Sequence, residues 1–202
     1  MELLISLISP SPYVAWPHDW IGWLSLLAFL AVVAYLNFRL RIFNKPGSGQ
    51  RSMLFLALFV ATLVTSLFAG FRLPAGNALP LPGFPSEPLG PAVMIFSALP
   101  WMLAAGLIGP LSASGLAFLS GLLIALWDTH SPYTPLEMAL LAVIFAGAVN
   151  QRFRTPFFRL LSRPVAAALL AALLYPFLLV LSMPFLASGP LVSRLDYTLT
   201  HL

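Results

Sequence analysis

Between Trp20 and Phe38 the chain carries no charged side chain. The same holds for residues 53–71, 91–108, 111–127 and 165–187, and the stretch 136–149 carries only Glu137. About 20 mostly apolar residues suffice for a helix to cross the hydrocarbon core of a bilayer. Of the 202 residues, 60% are hydrophobic and 8% are charged, whereas a soluble domain carries about 25% charged residues. So little charge cannot cover a water-facing surface. The six stretches predict an all-α, polytopic integral membrane bundle of six transmembrane helices, one domain over residues 20–202. The fifth stretch is short and is expected to borrow Gln151 and Phe153. Residues 1–19 are read as an interfacial segment. They lack the basic start of a signal peptide, Pro10, Pro12 and Pro17 interrupt them, and Trp16, Trp20 and Trp23 are placed to anchor at the headgroups.

The links between the stretches carry the charge. With six alternating spans, Arg39, Arg41, Lys45, Arg51, Arg152, Arg154, Arg159 and Arg163 fall on one side, and only Arg72 and Arg194 on the other. The positive-inside rule makes the first side cytoplasmic and puts both termini outside, in the inner membrane of a bacterium. The net charge of +4 is thus explained by topology, and no nucleic-acid partner is expected. All six acids, Glu2, Asp19, Glu87, Asp128, Glu137 and Asp196, fall outside, as do His18, His130 and His201. The chain has no cysteine, which excludes disulfides, thiolate metal sites and cysteine nucleophiles.

Small residues mark one helix. Gly109, Ala113, Ala117, Gly121 and Ala125 recur every four residues along the fourth stretch. That spacing lines one helix face, and small side chains there let backbones approach closely in a bilayer. The fourth span is expected at the packing centre. Ser112, Ser114 and Ser120 add hydroxyls able to bond to a neighbouring helix or to their own turn. Pro100 and Pro176 lie inside apolar stretches, where proline kinks a helix.

Asp128 ends the fourth stretch at the expected headgroup level, where a carboxylate costs less than at mid-membrane. A helix C-terminus is a poor place for an anion. Trp127, His130, Tyr133 and Glu137 follow closely, with Glu137 in the first turn of the fifth span. Two acids, a histidine and aromatic rings suit a cationic or hydrogen-bonding small molecule, and they equally suit a polar loop that stops a helix. Asn77, Phe84 and Glu87 of the long Pro-rich link 73–90 are placed to face them, closing a candidate ligand pocket at the outer ends of spans three to five. No metal or cofactor is expected, because no spacing such as H-x-x-x-H occurs. Nucleotide-binding, zinc-protease and nucleophile-elbow motifs are absent, and no carboxylate pair lies inside a span. A non-catalytic protein is expected.

The segment "LGPAVMIFSALPWMLAAGLIGPLSASGLAFLSGLLIALWDTHSPYTP" (89–135) resembles two groups of membrane proteins. These are the five-span input domains of bacterial sensor kinases and the substrate-binding S subunits of energy-coupling-factor vitamin transporters. Both show an apolar helix, a tight Gly-Pro turn and a Gly/Ala-rich helix ending in a polar or acidic residue. The resemblance implies an outer loop, here 73–90, folded over an outward-facing pocket for a small-molecule ligand. The sensor reading requires a cytoplasmic output domain beyond Leu202. The transporter reading requires an ATP-driven partner and a last core helix, also beyond Leu202. An accessory subunit of a larger membrane complex requires neither. The first span is additional to the pattern.

Overall fold

A computed structural model describes residues 12–41, 49–72, 92–151 and 155–186. Its elements are α1 (Trp20–Leu40), α2 (Gly49–Leu67), β1 (Gly70–Arg72), β2 (Ala92–Met94), α3 (Leu99–Leu107), α4 (Pro110–Ile124), α5 (Thr134–Asn150), α6 (Pro156–Leu161) and α7 (Pro164–Leu186). A π-helical turn, Ala125–Thr129, prolongs α4. The protein is a helical membrane protein. Four helices are long and apolar enough to cross a bilayer: α1, α2, α4 with its π turn, and α7.

Proline sets several of the boundaries. Pro100, Pro110, Pro135, Pro156 and Pro164 each occupy the first or second position of a helix, where the missing N–H has no partner to lose. Pro100 therefore opens α3 rather than kinking a span. Pro176 does lie inside α7, as does Pro184. Between α3 and α4 the chain reverses at Gly109, whose φ of 143° is open to glycine and strained for any residue with a Cβ.

The stretch 91–108 is not one continuous helix. Ala92–Met94 pair antiparallel with Gly70–Arg72 in the register Gly70↔Met94, Phe71↔Val93 and Arg72↔Ala92. A turn follows, and α3 has only 9 residues, about 14 Å of rise. Apolarity alone does not separate a strand from a helix, and pairing with β1 satisfies the backbone here. The all-α class holds, with one two-stranded ladder of three-residue strands added to the helical bundle. α5 is also displaced from its expected bounds. It starts at Thr134 and ends at Asn150, with Gln151 as an extended cap. Phe153 lies outside the described residues. Part of the link 150–164 forms α6, which exposes Phe157 and Leu160 beside Arg159, the make-up of a short interfacial helix.

At the centre stand α4 and α5, flanked by α2 and α3 on one side and by α1 and α7 on the other. In α5, twelve of 17 residues are buried; in α4, nine of 15. α1 buries only Gly22, Phe29 and Val33, and α2 only Leu58, Thr62 and Ser66, one stripe four residues apart. The centre is therefore shared, with α5 the more enclosed partner. One core joins Leu58, Trp101, Leu116 and Phe145 to buried alanines of α3, α4, α5 and α7. A second packs Phe29 and Val33 of α1 on Tyr133, Leu136 and Leu140.

Hydroxyls and amides tie the helices together. The Ser66 and Ser120 hydroxyls share a 2.8 Å hydrogen bond between α2 and α4. Ser114 Oγ donates to Asn37 Oδ1 at 2.9 Å, joining α4 to α1. Asn150 Nδ2 donates to the Ala105 carbonyl at 2.9 Å, joining α5 to α3.

Candidate functional site

The C-terminal end of α4, the N-terminal end of α5, the start of α1 and the end of α7 meet at one end of the bundle. Four of the eight candidate ligand residues, Trp127, Asp128, His130 and Tyr133, lie in or beside the turn between α4 and α5, and Glu137 is one turn further on. Asn77, Phe84 and Glu87 lie outside the described residues. The turn has two unusual backbone features. Residues 125–129 are π-helical, a widened geometry often found at functional positions. His130 adopts a left-handed conformation, φ 50° and ψ 14°, which is uncommon for a residue with a side chain.

The small-residue stripe delivers the turn to this place. Ala113, Ala117 and Ala125 are fully buried, and Gly109 and Gly121 are buried too. At Gly121 a Cβ would lie 2.7 Å from the Pro135 Cα and 2.8 Å from the Thr134 carbonyl oxygen. Only glycine lets α4 pass so close to the first turn of α5. The hairpin depends on glycine in the same way: a Cβ at Gly70 would sit 2.7 Å from the Val93 carbonyl oxygen.

Asp128 anchors that hairpin. Its Oδ1 accepts a hydrogen bond from the Ala92 N–H at 2.8 Å. Since Ala92 stands opposite Arg72 in the ladder, the two described residues that flank the link are held together beside Asp128. The acid at the end of an apolar helix thus has a definite task, to hold the base of the long link.

His130 and Tyr133 are engaged with other segments. The His130 ring stacks on Tyr13 with centroids 3.8 Å apart and planes 7° apart, and its Nδ1 lies 3.0 Å from the Tyr13 carbonyl oxygen. The Ala15 N–H donates to the His130 carbonyl at 2.8 Å. Residues 13–15 are thereby strapped across the turn. The Tyr133 hydroxyl donates to the Gly22 carbonyl at 2.7 Å and shares a short hydrogen bond with Ser25, which fixes the start of α5 against α1.

Under the strap lies an apolar cavity of about 270 Å³. Val14 and Trp16 cover it, Leu26 and Leu30 of α1 form one wall, and Leu122 and Ala125 form another. The expected pocket beneath 73–90 cannot be traced, because that link lies outside the described residues. This cavity opens instead beside α1, a helix the sequence left out of the site.

Glu137 differs from its neighbours. Its exposure is 1%, and neither carboxyl oxygen has a hydrogen-bond partner. It faces α7, where the Ser182 hydroxyl lies beside it and Tyr175 is within electrostatic reach of both Glu137 and Asp128. Sequence reasoning passed over Tyr175 and Ser182. The signal was available, since they are the only polar side chains in the 23 residues of α7 and stand seven apart, two turns along one face. Among the described residues no group of three or more His, Asp or Glu side chains gathers to hold a metal ion.

Comparisons with protein-family models, curated proteins and solved structures give no match to this chain.

Proposed function

We propose that this chain is a non-catalytic domain of the bacterial cytoplasmic membrane that binds a small, largely apolar molecule at the Asp128 end of the bundle and acts as a sensory input. The observation that carries this reading is the apolar cavity of about 270 Å³ walled by the turn that bears Asp128 and His130. Small-molecule sites are concave and mostly apolar, with a few placed polar groups. Here the wall belongs to a turn that also holds the strap at residues 13–15 and the base of the 73–91 link. A ligand that favours one arrangement of the turn biases all three segments together, which is the requirement for a sensor.

Six crossings with both ends of the domain outside fit the described elements. The described basic side chains, Arg39, Arg41, Arg51, Arg159 and Arg163, belong to helix ends opposite Asp128, and that end is assigned to the cytoplasm. The third crossing is assigned to α3 together with the segment before it: nine helical residues give about 14 Å and the three-residue strand Ala92–Met94 about 10 Å, with a turn between them, against a hydrocarbon core of roughly 30 Å.

A thermal-shift screen of small apolar compounds tests the binding reading. A compound that stabilises the wild type should lose its effect in Leu122→Trp, which fills the cavity from its partly exposed wall. Equal shifts in both proteins would remove the cavity from the reading. Asp128→Ala, screened in parallel, shows whether the hairpin anchor contributes. Single cysteines at Gly49 and Ser86, in a chain that otherwise has none, test the orientation: an impermeant reagent should label the second and not the first in intact cells.

A further inference from the structure

Glu137 is the one buried acidic side chain among the described residues, and it sits on the most enclosed helix. A carboxylate withdrawn from water is costly unless a cation, hydrogen-bond donors or a proton offset its charge. Nearby donors are few. The Tyr133 O–H goes to the Gly22 carbonyl, and the Ser182 hydroxyl, beside the carboxyl, also reaches the Leu179 carbonyl at 3.3 Å, so at most one neutral hydroxyl faces the charge. The described basic side chains lie at helix ends remote from it. Both oxygens are shut off from water as well as lacking partners, so any ligand larger than a proton requires α5 and α7 to part.

From this arrangement we infer that Glu137 is a proton-binding site, its carboxyl held as the neutral acid while α7 is packed against α5. The Ser182 hydroxyl lies beside the carboxyl on α7, and a neutral acid, unlike a carboxylate, does not need that lone hydroxyl to offset a charge. The step is one of binding alone: a carboxylate takes one proton from water when the helices part and becomes a carboxylic acid, with no other bond made or broken. The other titratable groups around it are Tyr133 one turn before, Tyr175 on α7, and Asp128 and His130 on the turn. α1 contributes none between Trp20 and Ala34. An ionisable group enclosed in a membrane bundle marks a candidate functional site. The Glu137 side chain faces α7 and does not line the apolar cavity, although Pro135 and Leu136 beside it do; the proposal rests on the enclosure of the carboxyl and not on a ligand in that cavity.

The test uses the full chain in lipid nanodiscs, labelled with 13C-glutamate. Glu2 and Glu87 are the only other glutamates. The infrared spectrum at neutral pH should contain the carbonyl stretch of a protonated glutamic acid, and Glu137→Gln should lose it. Above the ordinary carboxyl range the native state then binds one proton more than the unfolded chain. Wild-type stability should fall as pH rises, by up to about tenfold in the folded-to-unfolded ratio per pH unit, and the slope should be shallower in Glu137→Gln. A wild-type spectrum without the acid band, or equal slopes, would overturn the proposal. A Glu137→Gln chain that does not fold would do so too, because the neutral isostere must fit a site built for the neutral acid.

Discussion

α5 and α7 are both strongly apolar, and the bundle uses them in opposite ways. α7 has 23 residues and ample length for a span, yet only 17% of its apolar window is buried. α5 has 17 residues, short for a crossing, and buries twelve of them. In water the more apolar helix would be the inner one. In a bilayer the tails are as apolar as leucine, so that sorting force is lost and close backbone approach decides the matter. α5 offers Ala139, Ala142, Ala146 and Ala148 to its neighbours, all buried. α7 turns Leu169, Leu173, Phe177 and Leu181, spaced four apart, away from the protein, and buries Ala167 and Ala171. Small residues at the contacts, rather than overall hydrophobicity, decide which helix stands inside this fold.

The largest expected effect comes from breaking the closest approach. Gly121→Leu meets the backbone of α5, which cannot yield as a side chain would. It should cost at least about 3 kcal/mol, the upper part of the range for overpacking, or prevent folding. Gly115 is on the same helix, exposed, and a Cβ there would have nothing within 4 Å. Gly115→Leu should leave stability unchanged or raise it by up to about 1 kcal/mol, through helix propensity. Thermal unfolding in detergent reads both. Equal losses would show that glycine content alone, and not contact with α5, makes α4 central.

A leucine truncation on either side of the boundary sharpens the same contrast. Leu116 on α4 is 1% exposed and Leu173 on α7 is 67% exposed. Leu116→Ala should cost about 2–5 kcal/mol, because its neighbours close the cavity only in part. Leu173→Ala removes a side chain with few protein neighbours and should cost less than about 0.5 kcal/mol. Comparable losses would mean that another subunit covers α7.

Next in size is the anchor of the hairpin. Asp128→Asn keeps the shape of the side chain and weakens the charge-assisted bond to the Ala92 N–H. The expected loss is about 1–2 kcal/mol, confined to this end of the bundle. Hydrogen exchange should show faster exchange at Ala92 and across the β1–β2 ladder, with α4 and α5 unchanged. Unaltered exchange at Ala92 would assign the hold on the hairpin to the ladder alone.

The contrast between α5 and α7 also explains what the sequence could and could not disclose. Membrane-grade apolarity is legible from charge-free runs, and the alternation of basic and acidic links is legible without any structure. The close-packed face of α4 is legible because Gly and Ala at four-residue spacing have a direct steric meaning. The strand at Ala92–Met94 is not, because 91–108 is apolar in either conformation. The role of α5 is also hidden: its length argues against a span, while its burial depends on the neighbours that surround it. Asp128 could be placed at a helix end, but the identity of its partner, a backbone N–H 36 residues earlier, is a matter of tertiary structure. The enclosure of Glu137 was hidden by the first-turn position that made an acid there look ordinary.

The smallest effect concerns polar contacts inside the bundle. Ser66 and Ser120 are both fully buried, and their hydroxyls meet at 2.8 Å between α2 and α4. In hydrocarbon an unpartnered hydroxyl finds no water, which suggests a strong bond. The unfolded-in-membrane reference weakens that expectation, because each hydroxyl can then bond to a carbonyl of its own helix. Thr62 already does so in the folded protein, donating to Leu58 at 2.8 Å. A double-mutant cycle with Ser66→Ala and Ser120→Ala should therefore give a coupling of about 0.6 kcal/mol, the average for such pairs in membranes. Equilibrium unfolding of the three variants and the wild type measures it. A coupling near zero would leave α2 held by its narrow stripe of Leu58, Thr62 and Ser66 through packing alone. A value near 2 kcal/mol would place hydrogen bonding on a par with small-residue packing in holding the outer helices to the α4–α5 pair.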